Sequence, residues 1–141
     1  MTMQDTAFTH TISIPFQDID AAGILFFGRL FDHAHMAYER FMDLNGHSLS
    51  NILKQKEYLL PLVHAEADYR IPISHNETIT IELYVKKVGN SSFSLHYSFT
   101  DESGTLRATA ETVHVVLDTQ TKKPTSISEN LRTTLQSHLR S

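Results

Sequence analysis

The sequence predicts an α+β domain in which an antiparallel sheet packs around one long helix. Two observations carry that prediction. Phe27, Leu30, Phe31, Ala34, Tyr38, Phe41 and Met42 recur three and four residues apart, the stripe of a helix buried along one face. Around it, five segments alternate apolar with polar residues, the period of a half-buried strand, and four of the five follow the helix in succession.

The elements follow in order. Phe8, His10, Ile12, Ile14 and Phe16 alternate with Thr9, Thr11, Ser13 and Pro15, predicting a first strand that runs to Phe16. The helix then extends to about Asn45, where Asn45-Gly46 supplies a stop, and Ser48 or Ser50 opens a short second helix through about Gln55. From Leu62 to Ile71 a strand carries Val63, Ala65, Ala67, Tyr69 and Ile71 on one face and a polar set, His64, Glu66, Asp68 and Arg70, on the other. Ile79 to Val85 and Phe93 to Phe99 alternate again, separated from their neighbours by the turns Val88-Gly89-Asn90-Ser91 and Asp101-Glu102-Ser103-Gly104. The last strand spans Leu106 to Leu117, and its apolar phase shifts between Ala110 and Val113, which predicts a bulge or burial on both faces. Leu131, Leu135 and Leu139 mark a terminal helix within Ser128 to Leu139. A sheet curled round the helix fits this order, and so does a cystatin-like or other helix-on-sheet arrangement.

The totals exclude several functions. At 141 residues the chain is expected to be one domain, 1–141, in which a site built between subunits is feasible. Without cysteine there is no disulfide, thiolate nucleophile or sulfur-ligated zinc. A formal charge of −4 with no basic stripe argues against nucleic acid as a partner. No apolar run approaches a membrane span and no export signal opens the chain, so no membrane partner and a cytoplasmic location are expected. Nine histidines raise the question of a metal, but their spacing is not that of a ligand set, and no metal or cofactor is expected. His33 and His35, two apart on a helix, point to nearly opposite sides.

Chemistry concentrates at the strand-to-helix crossover, Gln17-Asp18-Ile19-Asp20-Ala21-Ala22-Gly23-Ile24-Leu25-Phe26-Phe27-Gly28. A helix start leaves N–H groups unpaired and carries partial positive charge, so it can hold an oxyanion without a cationic side chain. A carboxylate beside such donors can attack a carbonyl or activate water. The same acidic pair also reads as a cap or turn.

Asp18-Ile19-Asp20-Ala21-Ala22-Gly23-Ile24-Leu25-Phe26-Phe27 resembles the D-x-D-x-x-G signature of hot-dog-fold acyl-CoA thioesterases of the 4-hydroxybenzoyl-CoA thioesterase family. Leu60-Pro61-Leu62-Val63-His64-Ala65, Asp68-Tyr69, Pro72-Ile73 and Ala37-Tyr38-Glu39 are similar to its 1,4-dihydroxy-2-naphthoyl-CoA hydrolase subgroup, so the likeness covers roughly Thr9 to Pro124. It implies a hot-dog fold, an antiparallel sheet of about five strands wrapped around one long central helix. By position it assigns the catalytic carboxylate to Asp20 and the carbonyl-polarising amide to Phe27, with Gly23 as the motif glycine.

The chain also departs from the family. Short-chain members place a tyrosine four residues before the catalytic aspartate and a histidine seven after it, where Phe16 and Phe27 stand here. Phe16, Phe26 and Phe27 are therefore expected to form an apolar slot for a flat ring, although each also reads as an ordinary core aromatic. Basic residues found after the third strand in the 4-hydroxybenzoyl-CoA enzyme are replaced by Gly89, Asn90 and Ser91, leaving Lys86, Lys87, Lys122, Lys123 or Arg70 to meet coenzyme phosphates or to stand as plain surface charges. His64 either orients substrate or hydrogen-bonds across the sheet, and Glu39 is expected in an ion pair. Hot-dog dehydratases pair a histidine with an acid, and no such pair is evident in the sequence. The expectation is an acyl-CoA thioesterase acting on an aromatic acyl group, working as a homo-oligomer, dimer or tetramer, with Tyr84, His96 and His114 on outward faces. The alternatives are a short-chain aliphatic thioesterase, a non-catalytic acyl-CoA-binding hot-dog module, and a structural oligomerisation domain.

Overall fold

The computed structural model describes residues 7–140. Its strands are β1 (Phe8–Ser13), β2 (Leu62–Tyr69), β3 (Thr78–Val88), β4 (Ser92–Thr100) and β5 (Leu106–Val115), and its helices α1 (Arg29–Leu44), α2 (Leu49–Gln55) and α3 (Glu129–Ser137). The sheet is antiparallel throughout, in the order β1-β3-β4-β5-β2. Tight turns join β3, β4 and β5, so these neighbours in sequence are neighbours in space.

The core lies between the inward face of the sheet and α1. Period-two alternation places Ile79, Ile81, Leu83 and Val85 of β3 and Phe93, Leu95, Tyr97 and Phe99 of β4 on that face, all at most 2% exposed. They meet Leu30, Ala34, Ala37, Tyr38, Phe41 and Met42 of α1, with Phe31 partly buried beside them; Phe27, expected in the same stripe, precedes the helix and is 64% exposed. Helix α2 begins at the cap residue Ser48, whose hydroxyl accepts from the Asn51 N–H. Leu131 and Leu135 bury α3 against the same core.

Three expectations need correction. Strand β1 stops at Ser13, and Phe16 begins a single 3-10 turn, Phe16–Asp18, because the Pro15 nitrogen has no hydrogen to continue the ladder. Strand β5 keeps one phase with no bulge at Ala110 to Val113: Ala108, Ala110, Thr112 and His114 all face inward. The apparent shift arose because Thr112 and His114 are polar residues in a core row. Tyr97 and Thr112 hydroxyls lie 2.9 Å apart, Thr112 Oγ1 and His114 Nε2 also 2.9 Å apart, and the His114 ring stacks on Tyr38 and Phe93. His114 is thus buried, at 1% exposure, and not an outward residue. Tyr84 and His96 do share the outer face, half-buried and stacked on one another.

Candidate active site

The crossover folds into a miniature hairpin. Ile19 bridges Leu25, the Phe26 N–H donates to the Asp18 carbonyl, and the Asp20 N–H donates to the Ile24 carbonyl. The tip closes through the Gly23 N–H to the Asp20 carbonyl, with Gly23 at φ +82°, a left-handed conformation that favours glycine. A Cβ on Gly23 would meet nothing within 4 Å, so its backbone conformation, rather than the room beside it, calls for glycine.

Asp20 sits where this hairpin turns. Its Oδ1 accepts from the Ala22 N–H at 2.8 Å and, more distantly, from the Ile24 N–H at 3.5 Å, while Oδ2 has no partner among the described residues. The turn role and an open carboxylate oxygen therefore coexist. Asp20 lines a cleft of about 390 Å³ together with Ile24, Leu25, Phe27, Tyr69, Arg70 and the segment Ile71-Pro72-Ile73. Its walls are mostly apolar, as suits a small-molecule pocket with a few polar groups.

The start of α1 lies beside it. Gly28 occupies the cap position and provides no side-chain cap, and the Phe27 and Gly28 N–H groups donate to no acceptor among the described residues. These are open donors at the positive end of a helix dipole. The Phe27 carbonyl accepts a hydrogen bond from the Tyr69 hydroxyl, which ties the helix start to the end of β2. Burial raises the Tyr69 phenol above its ordinary pKa, so it stays protonated and donating.

A salt-bridge cluster backs the wall segment Ile71-Pro72-Ile73. Arg107, only 7% exposed, binds both oxygens of Glu77, Asp101 Oδ2 and the Pro72 carbonyl. Its own carbonyl accepts from Arg70 and Ile71, and the Ile73 carbonyl accepts from the Leu25 N–H at 2.7 Å. The Arg107 guanidinium holds the Glu77 carboxyl below its ordinary pKa, so the cluster remains ionised at neutral pH.

On the opposite side of the hairpin a second cleft, about 480 Å³, is lined by His10, Pro15, Asp18, Arg29, Asp32 and His33, among others. Asp18 is 4% exposed, and its Oδ2 lies 2.6 Å from Nε2 of His33, which is also buried. Arg29 Nε stands 3.8 Å from Asp18 Oδ1 and its Nη1 3.1 Å from Asp32. An acid–histidine pair thus exists where the sequence showed none. Fifteen positions of separation conceal it, and only folding the hairpin back onto the first turns of α1 brings the two together.

The other anticipated residues do not converge on the cleft. Phe27 lines it and packs on Phe26 at 4.7 Å, but Phe16 is 72% exposed against His75, so the three phenylalanines do not form one slot. His64 is exposed on β2 and bonds along its own strand to Glu66 at 2.9 Å, instead of across the sheet. Lys86 pairs with Glu111 at 2.5 Å on the outer face, Lys87 is exposed near the end of β3, and Lys123 belongs to the turn after β5. Arg70 is the one cationic residue of the cleft lining, and it makes no ion pair among the described residues. Glu39 is exposed, and no ion pair engages it among the described residues. Sequence reasoning also passed over Tyr69 and Ile71 to Ile73 as site residues, since only the bonds from Tyr69 to the Phe27 carbonyl and from the Leu25 N–H to the Ile73 carbonyl join them to a hairpin some fifty positions earlier.

No helix among the described residues is long and apolar enough to cross a membrane, and no three or more His, Asp or Glu side chains among them are arranged to hold a metal ion. The sequence profile of the thioesterase-like superfamily matches residues 14–135. The chain is 32% identical over 130 residues to the 1,4-dihydroxy-2-naphthoyl-CoA hydrolase of Rippkaea orientalis, covering 91% of this chain and 94% of that one. Against the hydrolase of the same name from Synechococcus elongatus it is 33% identical over 135 residues, with 95% and 97% covered. The crystal structure of a 1,4-dihydroxy-2-naphthoyl-CoA thioesterase from Synechocystis superposes with a TM-score of 0.87 at 27% identity, covering 93% of this chain and 96% of that one. With its five-stranded antiparallel sheet around α1, the chain has the hot-dog fold and belongs to the thioesterase-like superfamily.

Proposed function

We propose that this protein is an acyl-CoA thioesterase that hydrolyses an aromatic acyl-CoA, with 1,4-dihydroxy-2-naphthoyl-CoA as the first substrate to test and 4-hydroxybenzoyl-CoA as the second. The observation that carries the proposal is the Asp20 carboxylate, with one free oxygen, on the same apolar cleft as Phe27 at the uncapped start of α1. Its relatives named for 1,4-dihydroxy-2-naphthoyl-CoA support the aromatic reading, as do the apolar walls of the cleft.

In this reading the acyl ring lies against Phe27, Ile24 and Ile71, and the thioester carbonyl points at the Phe27 and Gly28 N–H groups. Negative charge that develops on the carbonyl oxygen is met by those donors and by the helix dipole, groups oriented before the reaction begins. Asp20 either attacks the carbonyl carbon through Oδ2, expelling coenzyme A thiolate and leaving an anhydride for water to cleave, or removes a proton from the attacking water. Label found in the Asp20 carboxylate after single turnover in heavy-oxygen water marks the covalent route with water attacking the aspartyl carbon, since general-base hydrolysis places none there. Arg70 is positioned to meet the coenzyme, and surface lysines such as Lys86, Lys87 and Lys123 would contribute only along its outer reach or from a neighbouring subunit.

The site is proposed to be completed in a homo-oligomer, dimer or tetramer, in the cytoplasm. Strand β2 is an edge strand exposed along nearly its whole length, with Leu62 and Val63 exposed at its start and Tyr69, at its end, lining the cleft. Such an edge offers unpaired backbone groups to a second copy. Light scattering that reports an active monomer would remove this part of the reading. Thiol release across a panel of aryl and aliphatic CoA esters tests the reaction itself: turnover is expected to favour naphthoyl and benzoyl esters, and a preference for acetyl or other short chains would overturn the substrate class.

A further inference from the structure

We propose that Asp18 and His33 act as a clamp that positions the Asp20 hairpin against the start of α1, and that this pair governs turnover through Asp20 without touching substrate. The inference rests on the reading of Asp20 as the catalytic carboxylate.

The geometry is that of a lever pinned at its base. Asp18 accepts the Phe26 N–H on its main-chain carbonyl at 2.8 Å and reaches His33 with its side chain at 2.6 Å, so one residue closes the hairpin and moors it to the helix. His33 stands one turn beyond Arg29, the first residue of α1, on the face buried against the crossover. The hairpin is also held by the Leu25 N–H on the Ile73 carbonyl, the Arg29 N–H on the Phe26 carbonyl and the longer Arg29–Asp18 contact at 3.8 Å, and the Asp18–His33 pair is the shorter of its two side-chain ties to α1. Asp20 lies two residues beyond the clamp, toward the tip.

The pair lies outside the chemistry. Asp20 and Phe27 line one cleft, Asp18 and His33 the other, and no residue lines both. His33 Nδ1 is buried without a partner, so it is closed to a substrate as well. Nor is net stability a sufficient reason for the pair, because well-packed apolar residues often serve as well as a buried polar pair. What such a pair supplies that apolar packing does not is a fixed direction, and displacement of a reacting group by about 1 Å can cost on the order of a hundredfold in rate.

A double-mutant cycle with 1,4-dihydroxy-2-naphthoyl-CoA tests this. His33→Leu is expected to lower kcat about a hundredfold with little change in KM. In an Asp20→Asn background the same substitution should lower the residual rate by less than about threefold, since there is no longer a carboxylate to position. His33→Gln, whose amide can donate to Asp18, should restore most of the rate. If His33→Leu does not fold, Asp18→Ser takes its place in the cycle. Equal losses in both backgrounds, or full turnover in a folded His33→Leu variant, would overturn the clamp. Amide hydrogen exchange adds a readout independent of turnover: loss of the pair should speed exchange at Asp20 and Phe26 by on the order of tenfold while β3 and β4 stay unchanged. Unchanged exchange at those two amides also overturns it. A wild-type protein that releases no thiol from any ester would instead overturn the thioesterase reading, with the exchange measurement still deciding the clamp.

Discussion

Asp18 and Asp20 stand two residues apart in one hairpin and have opposite surroundings. Asp18 is buried, bound to a histidine and near an arginine, on a cleft lined by charged and polar side chains. Asp20 is half-exposed, held only by backbone amides of its own turn, on a cleft lined mainly by apolar ones. A carboxylate whose oxygens are taken up by side chains has little left to offer a substrate, whereas one oriented through a single oxygen keeps the other for chemistry. The difference teaches that a motif spaced D-x-D divides its labour: one acid secures the loop and the other is presented by it.

The sharpest way to break this contrast is Asp20→Asn. It should abolish nearly all turnover, by about a thousandfold or more in kcat, because an amide is neither base nor useful nucleophile. Its melting temperature should stay close to wild type, since the amide oxygen still accepts from Ala22. Thiol release and thermal unfolding on one preparation check both halves, and wild-type rates from a folded variant would remove Asp20 from the mechanism.

His114 supplies a control, being buried like Asp18 but far from Asp20 in the fold. Burial pushes its pKa down to about 4, so the folded protein excludes a proton that the unfolded chain accepts near pH 6.5. That contribution is fully present above the unfolded value and is lost as pH falls from about 6.5 to about 4, worth on the order of 3 kcal/mol. His114→Phe should flatten the dependence of urea stability on pH across this window. An unaltered slope would mean that His114 is not the group taking up the proton.

Asp18→Ala comes next in size. It leaves His33 buried without its partner and should cost about 2 kcal/mol in urea unfolding at neutral pH, against less than about 0.5 for Asp20→Asn. Equal costs would erase the distinction between the two acids. The smallest effect separates two phenylalanines that the sequence grouped together. Phe27→Ala should raise KM for an aryl-CoA about tenfold through lost ring contact, whereas Phe16→Ala, on an exposed turn, should leave it nearly unchanged.

The legible parts of the molecule were those with local periodicity. Strands β3 and β4 and the stripe of α1 show in single letters, because burial on one face imposes a period of two or of 3.6 and little interferes with it. The inward row of β5 was misread for a chemical reason: Thr112 and His114 satisfy one another and Tyr97 inside the core, so polarity no longer marked the outer face. Asp20 and the helix start were legible because both lie within one short segment. The pairing of Asp18 with His33, the Arg107 cluster and the wall from Tyr69 to Ile73 were not, because each depends on how distant segments meet. Lys86 shows the converse, a cation suited in type to a phosphate but turned to the outer face and occupied by Glu111.

The bare start of α1 has a consequence for how this protein would respond to selection for heat resistance. A serine or aspartate at the cap is worth only roughly a few tenths of a kcal/mol over the glycine that stands at position 28 and leaves the nearby amides open. A screen for thermal tolerance alone would therefore tend to enrich capping side chains at position 28, each filling the place proposed for the carbonyl oxygen. Any Cβ there would also sit 3.1 Å from the Phe26 ring, a crowding that partly offsets the gain. The helix end is thus a reserve of stability left undrawn, and drawing on it would trade turnover for endurance.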